Sequence, residues 1–126
     1  MRVFIETLDG YQNIKPNTWF VDTDTGELWS VHGKQPIKGS WSRSRKYNYR
    51  QVTLQTADGR KVHKRKCVII ALACVDGRTA ERNQVDHING TYDDDRPCNL
   101  RWVSVQENHD FRNYRRLKNE SQRHLL

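Results

Sequence analysis

Residues 84–108 read QVDHINGTYDDDRPCNLRWVSVQEN, and the order of elements in this stretch decides the fold of the second half of the chain. Residues 84–88 form a short candidate strand, and the Asn89-Gly90 dipeptide that follows is typical of a turn. Residues 99–103 form a second candidate strand. The stretch therefore predicts two strands joined by a polar loop of about ten residues.

A helix is predicted to follow the second strand directly. Ser104 and Glu107 have the spacing of a capping box, in which the serine caps the first turn and the glutamate bonds back to it. The helix is expected to run from Val105 to about Asn119. The local order is thus strand, loop, strand, helix.

Four polar residues lie at defined positions in this order of strands and helix. Asp86 and His87 end the first strand, Asn99 follows His87 by twelve positions, and Asn108 follows Asn99 by nine. Carboxylate and amide oxygens are hard ligands that suit Mg²⁺ or Mn²⁺. An imidazole that titrates near neutral pH can act as a general base on water. In a regular strand, Asp86 and His87 point to opposite faces, so their joint action requires a local distortion.

The segments VDHING, NLRWVS and EN at residues 85–90, 99–104 and 107–108 resemble the HNH nuclease family. The resemblance is greatest to its phage and intron-encoded homing endonuclease branch. It implies a ββα-metal (His-Me) finger that hydrolyses phosphodiester bonds of double-stranded DNA with one divalent metal ion, Mg²⁺ or Mn²⁺, per active site. The products expected are a 5′ phosphate and a 3′ hydroxyl.

The resemblance also implies a role for each of the four residues. His87 corresponds to the general base, and Asp86 and Asn108 correspond to the metal ligands. Asn99 corresponds to the residue that braces the loop between the strands and so keeps the histidine in place. The acidic run Asp93-Asp94-Asp95 is more acidic than this function requires, and we expect it to be a solvated loop rather than a second metal site.

The resemblance is strong over residues 62–113, looser over residues 19–61, and absent over residues 1–16. Residues 1–61 are predicted to form an N-terminal β-rich DNA-binding lobe with hairpins. One hairpin is expected at residues 20–31 around a turn at residues 23–26, and another at residues 50–63 around a turn at residues 57–59. Residues 62–126 are predicted to form the HNH nuclease domain, which begins with the apolar segment CVIIALAC at residues 67–74, interpreted as a short buried helix. The predicted fold class is therefore α+β.

The positive charge of the chain is concentrated in one segment. The net charge is +7, and residues 43–66 contain nine Lys or Arg residues and a single acid, Asp58. A localised basic surface favours a polyanion partner because neutralised phosphates release counterions, although a solvated charged face would have the same composition. The predicted phosphate or groove contacts are Arg43, Arg45, Lys46, Arg50, Lys64 and Arg65, together with Arg112, Arg115 and Arg116 on the last helix.

Length and composition limit the remaining possibilities. A chain of 126 residues allows one compact domain or two small lobes that share a core. No stretch is long and apolar enough for a membrane span, and a cytoplasmic location is expected, in the host if the gene belongs to a phage. A monomer with one site is expected to nick DNA, and a homodimer could cut both strands. The alternatives are a DNA-binding module without catalysis and an RNA-binding protein.

Overall fold

The computed structural model describes residues 1–42 and 49–124, with side chains as far as residue 120. It is a mixed α+β structure with small antiparallel sheets and two helices, which confirms the predicted class. The strands are β1 (Arg2–Phe4), β2 (Trp19–Asp22), β3 (Glu27–Ser30), β4 (Ser40–Trp41), β5 (Arg50–Gln55), β6 (Lys61–Arg65), β7 (Gln84–His87) and β8 (Leu100–Val103). The helices are α1 (Lys66–Cys74) and α2 (Val105–His124).

The first sheet has the order β1-β2-β3. The predicted hairpin at its centre is confirmed, with Val21 paired to Leu28 across β2 and β3. Strand β1 was not predicted, because three residues are too short a segment for a period-two pattern to stand out. It pairs antiparallel with β2, and Val3 lies opposite Val21.

The second sheet has the order β4-β5-β6 and contains the other predicted hairpin. Val52 and Leu54 point into the core from β5, while Thr53 lies exposed between them. His63 lies opposite Thr53 on β6, and its Nδ1 is 2.9 Å from Thr53 Oγ1, within hydrogen-bond distance. The return strand reaches Arg65, two residues beyond the predicted end, and α1 begins at the next residue.

Helix α1 is the buried helix predicted from residues 67–74. Cys67, Ile69, Ile70 and Ala71 are fully buried and pack with Val21 and Leu28 of the first sheet, Val52 and Leu54 of the second, and Leu100 and Trp102 of β8. The two halves of the chain therefore share one core, centred on α1. No helix of the described residues combines the length and the apolar character needed to cross a membrane.

Strands β7 and β8 and helix α2 form the ββα unit. Asp86 lies opposite Arg101 and His87 opposite Leu100 in a regular antiparallel ladder. The predicted capping box is confirmed: the Glu107 amide donates to Ser104 Oγ at 3.1 Å, and the Ser104 amide donates to Glu107 Oε1 at 3.0 Å. These bonds from Ser104 hold the pKa of Glu107 below its ordinary value. The helix continues to His124, five residues beyond the predicted end.

A close backbone approach joins the N-terminal hairpin to the loop of the ββα unit. Gly26, in the turn between β2 and β3, has a φ of +71°, and a Cβ placed there would lie 2.4 Å from Cδ of Pro97. Only glycine fits both the backbone conformation and the contact. The turn therefore packs directly against the loop between β7 and β8.

Candidate functional site

Asp86 is buried and held by two arginines. Its side chain is 3% exposed, Arg101 Nε of the neighbouring strand donates to Oδ2 at 2.9 Å, and Arg115 of α2 donates to both carboxylate oxygens at 3.1 and 3.2 Å. Arg115 also donates to the carbonyl oxygens of His87 and Ile88, at 2.9 and 3.3 Å. The carboxylate thus links the end of β7 to β8 and to α2.

His87 is equally buried and has a different set of neighbours. Its Nε2 lies 2.7 Å from Oδ1 of Asp95, with the two side chains 3% and 4% exposed. The ring of Tyr92 meets the imidazole edge-on at 5.6 Å between centroids. Because β7 is regular at this point, Asp86 and His87 contact different elements, and β7 does not show the local distortion that the sequence pattern called for.

The acidic loop differs from the expectation of a solvated loop. Asp95 is buried against His87, and only its neighbours face water. Asp94 is ion-paired with Arg96, whose hydrogen bond lowers the pKa of the Asp94 carboxyl to about 2. Asp93 is ion-paired with Arg50 at 2.8 Å, and this bond lowers its pKa. The prediction was wrong for Asp95 because composition does not tell which of three adjacent acids meets a buried imidazole.

Asn99 closes the loop between β7 and β8 with its side chain. Its Oδ1 accepts from the Asn89 amide at 3.0 Å, and its Nδ2 donates to Asn89 Oδ1 at 3.0 Å and to the Asp94 carbonyl at 2.8 Å. Its backbone carbonyl accepts from the Ile88 amide at 2.8 Å. One buried amide therefore fixes the chain just after His87 and just before Asp95.

Asn108 lies half-buried in the first turn of α2, where its amide nitrogen donates to the Ser104 carbonyl. Within the described part of the chain, its side chain makes no hydrogen bond, so its Oδ1 is available as a ligand. Asp86 and Asn108 together offer oxygen donors of the type that Mg²⁺ or Mn²⁺ prefers. The residue types fit such an ion. Arg115 is already paired with the Asp86 carboxylate, so this ion pair must open before the carboxylate can bind a metal ion.

A second group of potential ligands surrounds His87. Ligand atoms of Cys67, His87 and Asp95 lie within 4.8 Å of one another, and all three residues are buried. Such a group could hold a metal ion, although its geometry does not specify which one. Burial raises the pKa of the Cys67 thiol to about 11, so the sulfur is protonated at neutral pH in the absence of a metal.

The predicted DNA contacts on the second sheet are tied to aromatic rings. The guanidinium of Arg50 lies over Trp41 at 4.1 Å, that of Arg65 over Tyr49 at 4.4 Å, and Lys64 Nζ lies 5.4 Å from the Tyr11 ring. These three side chains are partly buried rather than fully extended into solvent. Arg43, Arg45 and Lys46 lie outside the described residues.

Of the three predicted contacts on α2, Arg115 lines an open groove beside Asp86. Arg116 is exposed and Arg112 is half-buried, whereas Arg115 is turned toward Asp86. The groove has a volume of about 700 Å³ and is lined by Ile88, Asn89, Arg101, Asp110, Phe111, Tyr114, Arg115 and Lys118. Arg101 stacks on Phe111 at 4.1 Å, and Tyr114 is 66% exposed at the rim. The groove thus combines cations with aromatic surface.

Two site residues were not assigned a role by the sequence. Asp95 could not be distinguished from its acidic neighbours, and Arg101 was given no role; the structure pairs Arg101 with Asp86. Comparisons with protein-family models, with curated proteins and with solved structures found no match.

Proposed function

We propose that this protein is a metal-dependent DNA endonuclease of the HNH type, with the ββα unit as its catalytic finger. The observation that carries the proposal is the clamp made by Asn99. It fixes the end of β7, where Asp86 and His87 lie, within reach of the helix that presents Asn108. The order of these elements, with Asp86 and His87 at the end of β7 and Asn108 in the first turn of α2, supports the proposal.

In this function the residues of the chain have separate tasks. His87 takes the proton from the attacking water, and Asp86 and Asn108 bind one Mg²⁺ or Mn²⁺. When bound, the ion stabilises negative charge on the phosphorane and on the leaving 3′ oxygen. The cations that border the groove beside Asp86, among them Arg115 once it leaves Asp86, would contact the phosphates of the cleaved strand.

Capture of the duplex depends on surfaces outside the finger. Arg50, Lys64 and Arg65 belong to the segment that contains the positive excess of the chain. Each of these cations lies over an aromatic ring, and Arg50 is also paired with Asp93, so this ion pair must open before Arg50 contacts a phosphate. We propose double-stranded DNA as the partner and phosphate neutralisation as the main source of affinity.

One observation favours a second function. Asp86 is already neutralised by Arg101 and Arg115, as expected of a structural ion pair in a DNA-binding module without catalysis. Such a module would bind duplex DNA through the same basic residues. It would leave the DNA uncut at every metal concentration.

A plasmid nicking assay distinguishes the two functions. Supercoiled plasmid incubated with Mg²⁺ or Mn²⁺ is expected to relax, whereas EDTA prevents the reaction. His87→Ala is expected to lower the cleavage rate by about 10²- to 10⁴-fold, the usual contribution of a general base, while gel-shift affinity for the duplex is retained. The matched control is His109→Ala on the exposed side of α2, which should cleave at the wild-type rate.

Three other outcomes of these assays would contradict parts of the proposal. DNA binding without cleavage by the wild-type protein in any divalent metal would favour the module without catalysis. Preferential binding to RNA over duplex DNA, again without cleavage, would favour an RNA-binding protein. Undiminished cleavage by His87→Ala would remove His87 as the base.

A further inference from the structure

We propose that Asp95 is a positioning residue for His87, whose buried carboxylate sets the tautomer of the imidazole and leaves Nδ1 unprotonated as the base. This inference rests on the proposed function, because it concerns the same histidine. Its starting point is the contact of 2.7 Å between His87 Nε2 and Asp95 Oδ1.

The carboxylate of Asp95 is buried together with His87. A carboxylate withdrawn from water is costly unless hydrogen bonds or opposite charges compensate it. Its Oδ1 meets His87, and its Oδ2 has no hydrogen-bond partner among the described residues. The imidazole is therefore the polar group that accounts for an acid at this position.

The contact determines which ring nitrogen carries the hydrogen. The carboxylate oxygen is the acceptor in this contact, so the proposal assigns the hydrogen to Nε2. Nδ1 then keeps its lone pair, and within the described part of the chain it makes no hydrogen bond. The same carboxylate stabilises the imidazolium that forms when Nδ1 takes up a proton.

The proton balance of the step follows directly. The oxygen of water forms a bond to phosphorus, its proton moves to Nδ1 of His87, and the bond from phosphorus to O3′ breaks with its electron pair on O3′. Nε2 keeps its hydrogen, and its contact with Asp95, throughout the step. The imidazolium afterwards returns its proton to solvent, and O3′ is protonated from solvent.

The surroundings hold the pair together. Asn99 Nδ2 donates to the carbonyl of Asp94, which fixes the peptide immediately before Asp95. Tyr92 contacts the imidazole edge-on, and Cys67 lies on the inner side of the pair as a neutral thiol. Asp94 is turned away to Arg96, so it does not compete for His87.

The first test is spectroscopic and independent of cleavage. Long-range ¹H–¹⁵N spectra of the wild-type protein, recorded where the ring is neutral, are expected to show His87 with a hydrogen on Nε2 and none on Nδ1. Asp95→Ala is expected to lose this preference. A wild-type ring with its hydrogen on Nδ1 would overturn the proposal.

The second test is kinetic and uses Asp95→Asn, which keeps the shape of the side chain. We expect kcat for plasmid nicking to fall by roughly 10- to 100-fold, less than the loss of the general base itself would cost, with KM for DNA unchanged. The matched control Asp93→Asn removes the same charge from the same loop without touching His87, so its kcat should equal that of the wild type, and the loss of its ion pair with Arg50 is expected to act on KM for DNA. Thermal melts of all variants report folding.

The outcomes separate this inference from the proposed function. Cleavage by Asp95→Asn at the wild-type kcat, with an unchanged His87 tautomer, overturns the positioning role while the nuclease stands. Absence of cleavage by the wild-type protein overturns the nuclease, and the spectra still test the tautomer. A thiolate charge-transfer band that appears with Co²⁺ and is lost in Cys67→Ser would place a metal on the buried group and overturn the proposal.

Discussion

Cys67 and Cys98 have the same side chain in different surroundings. Cys67 is buried at the start of α1, whereas Cys98 is exposed in the loop before β8. Burial removes water from the thiolate and so raises the pKa of Cys67 to about 11 from an ordinary value of 9.0. The thiolate is the reactive form of cysteine, so the two residues should differ in reactivity.

We expect iodoacetamide at pH 8.5 to modify Cys98 rapidly in the folded protein and Cys67 only after unfolding. Mass spectrometry of digested samples, taken over time with and without denaturant, measures both rates. Equal labelling of Cys67 and Cys98 in the folded protein would contradict the burial of α1.

The same shift predicts how this thiol affects stability at high pH. The folded protein retains a proton that the unfolded chain releases between pH 9.0 and about 11. The contribution of Cys67 to stability is therefore complete below the ordinary pKa and is lost as the pH rises through this interval. Tyr11, whose pKa burial also raises, adds to the loss in the same direction.

At the scale of elements, Arg115 connects α2 to the end of β7. It donates to Asp86, His87 and Ile88, so its removal leaves Asp86 with Arg101 as its partner. We expect Arg115→Ala to lower the free energy of unfolding by roughly 1–3 kcal/mol, less than the loss of a sole partner from a buried ion pair. Chemical denaturation measures this change.

The same variant tests whether Arg115 competes with a cation for Asp86. We expect Mn²⁺ to raise the melting temperature of Arg115→Ala more than that of the wild-type protein, because an ion that binds the native state stabilises it. Arg116→Ala is the matched control, since Arg116 is exposed on the same helix turn. An equal Mn²⁺ response in all three proteins would contradict competition at Asp86.

At the scale of the whole molecule, one core and one close contact join the two halves of the chain. Helix α1 packs against residues of both larger sheets and of β8, so neither half has a core of its own. The contact of Gly26 with Pro97 joins the first hairpin to the loop that carries Asp95. The placement of His87 and Asp95 thus depends on the N-terminal half.

A comparison of Gly26→Ala with Gly10→Ala should distinguish the cost of the contact with Pro97 from the cost of a positive φ. The new Cβ would lie 2.4 Å from Pro97, and overpacking of this kind costs about 1–3 kcal/mol beyond the strain of a positive φ. Gly10→Ala is the matched control, because Gly10 has a φ of +83° and open space around its Cβ position. Equal losses of unfolding free energy in the two variants would contradict the contact.

The local elements were predictable because local chemistry specifies them. The hairpin of β2 and β3, the apolar helix α1 and the capping box of Ser104 and Glu107 each follow from periodicity, turn residues or caps within a few positions. The extent of α2 was not predicted, since a polar helix carries no apolar stripe to mark its last turn.

The candidate site was only partly predictable. Spacing predicted that Asp86, His87, Asn99 and Asn108 form one group, which stays a prediction, whereas the hydrogen bonds of Asn99 lie at the loop it was expected to brace. The partners of these residues were not visible, because Arg115 and Asp95 are brought to Asp86 and His87 by the packing of α2 and of the loop.

The amino-acid sequence by itself therefore determined the two hairpins, the two helices, the capping box, and the polar residues at the end of β7. These depend on neighbours in the chain, where propensity and spacing act directly. Only the tertiary structure decided that Asp86 is neutralised by two arginines while His87 is held by a buried acid. Burial and charge compensation depend on residues distant in sequence, and a one-dimensional pattern contains neither.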